Sequence, residues 1–120
     1  MGSKNWAPFI LALVLAGCAT PISKVQFDLG KLNRDGLQGP EDGLRALSYE
    51  FCIPSSIEKV EEVMVIDKTL VVYHQSPGRV GCGKDAYLAV GNTSQDGFRE
   101  VLRKLSELDY VESIYEAFFE

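Results

Sequence analysis

Between residues 46 and 119 the hydrophobic period of this chain switches from two to 3.6 and back, twice over, and few layouts satisfy that alternation. Leu47, Tyr49, Phe51 and Ile53 alternate with Ser48, Glu50 and Cys52, the pattern of a strand with one buried face. Pro54-Ser55-Ser56 breaks the run. Beyond it, Ile57, Val60 and Met64 share one face of a helix expected over residues 57–66, with Ser55 as its cap and Glu58 at the capping-box spacing. Val63-Met64-Val65-Ile66, taken alone, also fits a strand. Residues 69–73 are rich in β-branched and aromatic side chains and read as a second strand. A turn-rich stretch at 76–83 follows, and residues 86–90 read as a third strand, stopped by Gly91-Asn92. Over 94–108, Phe98, Val101, Leu102, Leu105 and Leu108 line one helical face while Arg99, Glu100, Arg103 and Lys104 stay outside. Residues 110–119 complete the pattern as a fourth strand.

Strand, helix, strand, strand, helix, strand is the order of the ferredoxin-like split βαβ fold, an α+β class. It predicts a four-stranded antiparallel sheet with both helices on one face. In that fold the first and third strands are central neighbours running oppositely, so the end of one lies beside the start of the other. Cys52 ends the first and Cys82 precedes the third, so the two cysteines are expected to meet.

Ahead of this pattern lies a different kind of segment. One lysine, Lys4, precedes the apolar run 6–14, which is closed by Leu15-Ala16-Gly17-Cys18. The run is far short of the roughly 20 residues that span a bilayer and has the length of a signal-peptide core. Leu15-Ala16-Gly17-Cys18 resembles the lipobox of bacterial lipoproteins. The resemblance implies that residues 1–17 are removed, that the Cys18 sulfur carries a diacylglycerol and that its freed amine is acylated. Ala19, where inner-membrane lipoproteins of Gram-negative bacteria tend to carry aspartate, implies the outer membrane, facing the periplasm. Two or more long chains at roughly 0.8 kcal/mol per buried methylene make such an anchor effectively permanent.

Removing residues 1–17 leaves 103 residues, enough for one domain. Residues 18–44 carry Pro21, Gly30, Asp35-Gly36, Gly39-Pro40 and Asp42-Gly43 and read as the lipidated cysteine and a linker, with a short strand possible where Val25, Phe27, Leu29 and Leu32 alternate. The domain is expected over 45–120. The chain holds 12 Lys and Arg against 17 Asp and Glu, and losing Lys4 takes its formal charge from −5 to −6, a balance that argues against nucleic acid as a partner. With Cys18 lipidated, Cys52 and Cys82 are left in an oxidising compartment, where a disulfide is the default. A metal pair or a redox couple fits less well, because no Cys-x-x-Cys exists and His74 is the sole histidine.

The candidate sites are few. His74 sits just past the second strand, with no nucleophile or acidic orienter at a motif spacing, and reads as a surface histidine. The stretch 76–84 combines Gly78, Gly81 and Gly83 with Arg79 and Lys84, so that Arg79, Gly81 and Lys84 form a possible anion or partner site. It is not a phosphate-binding P-loop, since Lys84 is followed by Asp85 and opens a strand. Glu58, Glu61, Glu62 and Asp67 are carboxylates near the first helix, but they lack the spacing of a calcium loop and read as a solvated face. Tyr110, Tyr115, Phe118 and Phe119 are divided between packing the sheet and a partner-binding edge.

No catalytic constellation, metal or cofactor is expected from these residues. The leading expectation is an outer-membrane lipoprotein with a small periplasmic binding or structural domain, docking on an envelope protein through its open sheet face or edge strands. The other is a protease-inhibitor module or small envelope enzyme. It draws on the last quarter of the chain, where Leu105-Ser106-Glu107-Leu108-Asp109-Tyr110-Val111-Glu112-Ser113-Ile114 resembles the end of the ferredoxin-like propeptides of subtilisin-type proteases.

Overall fold

In the computed structural model, which describes residues 24–118, β1 (Leu37–Gln38) and β2 (Arg45–Ala46) pair as a small antiparallel sheet. The expected signal peptide, Cys18 and Phe119 lie outside the described residues. β3 (Ser48–Pro54), β4 (Val71–Tyr73), β5 (Ala86–Asn92) and β6 (Tyr115–Glu116) form a four-stranded sheet in the order β4-β5-β3-β6, antiparallel throughout. α1 (Ile57–Ile66) connects β3 to β4, and α2 (Phe98–Ser106) connects β5 to β6. The expected α+β class, with two helices and a four-stranded antiparallel sheet, is borne out.

β3 and β5 are partners along their whole length, from Ser48 opposite Asn92 to Pro54 opposite Ala86. Strand alternation then divides the side chains. Tyr49, Phe51 and Ile53 are buried in one core with Val60 and Val63 of α1, Phe98, Leu102 and Leu105 of α2, and Val111 and Ile114. Each such large apolar side chain contributes about 1.5–3 kcal/mol on burial. Glu50 and Cys52 point to the opposite face, and Cys52 is joined to Cys82 by a disulfide with a Cα separation of 5.5 Å. The pairing predicted from strand adjacency is present.

Several expectations are corrected. α1 buries Val60 and Val63, not Ile57 and Met64; Ile57 is 71% and Val65 81% exposed. With apolar residues at six of its ten positions the helix has two possible phases, and the phase that puts Val60 and Val63 on the sheet wins. Its cap is Ser56, whose carbonyl accepts the Val60 N–H, while Ser55 donates its own N–H to the Asp85 carbonyl at 3.0 Å, so no capping box forms. α2 starts at Phe98, four residues later than expected: Gly97 just before it is left-handed at φ +67°, outside the helical region, and Ser94 and Gln95 form a turn in which their N–H groups donate to the Asn92 side chain and the Thr93 carbonyl. The last strand shrinks to Tyr115–Glu116: Val111 and Ile114, both fully buried, are three residues apart, a spacing that a strand cannot put on one face.

The largest correction concerns residues 24–44, which pack on the domain instead of linking to it. Leu32 is buried, Val25, Phe27 and Leu29 pack against the core, and the Phe27 ring stacks on Tyr49 at 6.3 Å. Arg99 donates to the carbonyls of Leu29 and Leu32, and the buried Thr93 hydroxyl donates to the Gly36 carbonyl at 2.6 Å. The glycines and prolines here shape turns that let the segment hug the body. Breaker-rich composition marks turns as readily as it marks a tether.

Candidate functional site

The loop 74–85 leaves the end of β4, doubles back and lies on the sheet face opposite the helices. Several contacts hold it there. The disulfide fixes Cys82 to Cys52; the Val80 N–H donates to the Oε2 of Glu50 at 2.7 Å; and Gly78 packs on Leu88. Gly78 has φ +66°, and a Cβ there would come within 2.7 Å of a Leu88 methyl and 3.0 Å of the Glu50 carboxylate, so only glycine fits the approach. Glu50 is left 4% exposed. A carboxylate so placed has lost most of its water and depends on donors from the protein.

The loop was expected to expose backbone N–H groups around Arg79 as an anion cradle. Part of that set is engaged within the protein. Gly81 and Cys82 both donate their N–H groups to the Pro77 carbonyl, at 3.1 and 2.8 Å, and the Val80 N–H is taken by Glu50. The carboxylate gripped by this loop is the protein's own. Nor do Arg79, Gly81 and Lys84 converge: each lines a different cavity.

Arg79 lies over the sheet, its guanidinium carbon 5.8 Å from the centroid of the Phe118 ring. Beside it runs a groove of about 390 Å³ walled by Tyr73 of β4, Leu88 and Val90 of β5, Glu50 of β3 and Phe118. An adjoining hollow of about 330 Å³ shares Glu50, Arg79 and Phe118 and extends to Tyr115. Register explains the lining: Tyr73 is opposite Leu88, Val71 opposite Val90, and Glu50 opposite Tyr115, all on the face away from the helices. Val71, Tyr73, Tyr115 and Phe118 are each between 43% and 56% exposed. This is a sheet face whose centre is covered by its own loop, with aromatic and aliphatic side chains left exposed at both edges, on β4 and on the β6 side.

The remaining candidates are placed as follows. Gly81 borders a cavity of about 440 Å³ on the far side of the disulfide, reaching Tyr110, Glu112 and Ser113. His74 stacks on the Tyr87 ring at 4.2 Å and, with Lys84, lines a third hollow of about 350 Å³. The helix carboxylates are dispersed: Glu62 accepts the Tyr110 hydroxyl at 2.6 Å, and Asp67 is fully buried. Among the described residues no group of three or more His, Cys, Asp or Glu is placed to hold a metal ion, and no helix is long and apolar enough to cross a membrane.

One polar cluster escaped the sequence. Asp67, at the end of α1, accepts the Tyr49 hydroxyl at 2.5 Å, the Thr69 N–H and hydroxyl at 2.9 and 2.7 Å, and the Gln95 amide at 3.0 Å. The Thr69 hydroxyl in turn accepts the Asn92 N–H. Burial first, and the neighbouring Asp67 charge second, drives the Tyr49 phenol well above its ordinary pKa. The cluster ties β3, α1, β5 and the entry to α2 together. Asp67-Lys68-Thr69 after an apolar helix is the spacing of a local side-chain turn and was the one available signal.

Compared with protein-family models, curated proteins and solved structures, the chain matches none of them.

Proposed function

We propose that this chain is a lipid-anchored envelope protein, attached through Cys18 to the outer membrane and facing the periplasm, whose domain binds another envelope protein through its open sheet face. The observation that carries the binding role is the exposure of large apolar side chains at both edges of this face, Val71 and Tyr73 on β4 and Tyr115 and Phe118 on the β6 side, flanking the Glu50–Arg79 groove. Large side chains half exposed on a rigid sheet supply much contact area at little entropic cost, and aromatic residues together with arginine are the side chains that dominate protein interfaces. The strand order β4-β5-β3-β6, with helices after β3 and β5, supports placing the domain in the ferredoxin-like split βαβ class. The lipobox and its short apolar run support the anchor.

Site-specific photo-cross-linking in intact cells tests this reading. A cross-linker at Tyr73 or Phe118 is expected to give a discrete adduct that one at the outward helical position Glu61 does not. Equal labelling at all three positions contradicts a binding face on the sheet.

A further inference from the structure

We infer that the groove beside the loop 74–85 recognises a basic side chain of the partner, an arginine whose guanidinium donates to the open carboxylate oxygen of Glu50. The inference rests on the sheet face as the binding face and is independent of any lipid anchor.

The geometry starts at Glu50. An ionised carboxylate offers about four acceptor positions on its two oxygens. Among the described residues this one receives a single hydrogen bond, from the Val80 N–H to Oε2, and Oε1 receives none. The residue is nonetheless almost wholly buried. Burying a charge with most of its acceptor positions unmet costs free energy until a donor supplies them. Nor is Oε1 shut in. Ser106 Oγ is the one enclosed side-chain polar atom without a hydrogen-bond partner among the described residues, so Oε1 keeps contact with open space. That space is the groove and its adjoining hollow, both of which Glu50 lines.

The chemistry of the occupant follows from the oxygen and its surroundings. A carboxylate oxygen only accepts, and a cationic donor bonds it roughly twice as strongly as a neutral one. The walls around it are apolar and aromatic, formed by Tyr73, Leu88, Val90 and Phe118. A cation entering there must shed water. Guanidinium is weakly hydrated, planar and able to stack on an aromatic ring, whereas an ammonium holds its water firmly. The aliphatic stem of arginine can lie along the apolar wall behind it. A formal charge of −5 favours the approach of a basic partner over an acidic one. Arg79 lines the same groove, its guanidinium carbon 5.8 Å from the Phe118 centroid, and its charge opposes a second cation. Glu50 and Arg79 therefore act on a cationic ligand with opposite signs, and an anion-binding groove would reverse both.

Titration of the isotope-labelled full-length protein in detergent, followed by NMR, tests the inference. The probe is N-acetyl-arginine methylamide, with the citrulline analogue as its uncharged isostere and inorganic phosphate as the anion. The arginine probe is expected to give saturable shifts at the amides of Val80, Leu88 and Val90, and the citrulline analogue and phosphate are not. Glu50→Gln, which keeps an acceptor for the Val80 N–H, is expected to weaken the arginine probe by about tenfold or more, the worth of a hydrogen bond to a charged group. Arg79→Gln is expected to tighten it and leaves Glu50 untouched, so the sign stands even where Glu50→Gln fails to fold. Equal response to arginine and citrulline, or phosphate binding that Arg79→Gln abolishes, overturns a cation site. No response to the arginine probe also overturns it, and the docking face survives where cross-linkers at Tyr73 and Phe118 still give their adduct in cells. Loss of both removes the face along with the site.

Discussion

The Oε2 of Glu50 accepts the N–H of Val80 at 2.7 Å, and two residues further along both segments Cys52 is bonded to Cys82, so a hydrogen bond and a disulfide, each closing a separation of 30 residues, run side by side. The stretch 80–82 thus lies along 50–52 as a clamp on the outer face of the central strand. It buries a carboxylate and sets one wall of the groove. Its local geometry serves the sheet more than it serves an anion.

Loss of the disulfide is expected to destabilise the domain by about 3–4 kcal/mol, the chain-entropy figure for a loop of this length. Cys52→Ser together with Cys82→Ser should lower the urea midpoint accordingly and leave both helices formed. An unchanged midpoint would show that the clamp holds without its covalent bond.

Gly78 and Gly81 separate strain from collision. Both have positive φ, but a Cβ at Gly81 meets nothing within 4 Å, whereas at Gly78 it strikes Leu88 and Glu50. Gly81→Ala should cost about 1–2 kcal/mol, the left-handed penalty alone. Gly78→Ala should cost clearly more and raise the exposure of Glu50; equal costs, measured by chemical denaturation, would contradict the packing described for the loop.

Tyr49→Phe deprives buried Asp67 of a donor and is expected to cost about 1–3 kcal/mol at neutral pH. The alkaline limb adds a second readout. The folded phenol is raised by burial and by Asp67 and keeps its proton, while the unfolded one loses it near pH 10, so this contribution is whole below about pH 10 and stability falls as pH rises above it. Tyr49→Phe should reduce that alkaline loss without removing it, because Tyr110 is also raised, by partial burial and by Glu62. An identical alkaline slope in the variant would contradict the assignment.

Helix phase is tested by two substitutions on α1. Val63→Ala, at a fully buried position, is expected to cost about 2 kcal/mol. Ile57→Ser, on the exposed side, should change stability by less than about 0.5 kcal/mol. The reverse ranking would restore the Ile57–Met64 face.

Much of the fold was legible because alternation around Tyr49, Phe51 and Ile53 and the 3.6 period of Phe98, Leu102 and Leu105 each admit one reading. The Cys52–Cys82 pairing followed from strand adjacency. What the sequence concealed depended on choices made in three dimensions. α1 carries enough apolar residues for two faces, and only the sheet selects Val60 and Val63. Residues 24–44 carry linker composition, yet Phe27 and Leu32 find the core. The loop glycines suggested free N–H groups, but Glu50, 30 residues earlier, claims the one at Val80. Its alternation in β3 places it on the outer face, and nothing local announces that a loop will return to cover it.

The proposed lipid attachment at Cys18 carries the proposed localisation, and the intact mass of the protein extracted from membranes tests it most directly. The expected mass is that of a chain beginning at Cys18, with Cys52 and Cys82 oxidised, plus a diacylglyceryl group and an amide-linked acyl chain. A mass corresponding to an unacylated chain, whether it begins at Met1, at Cys18 or at a later residue, would contradict it.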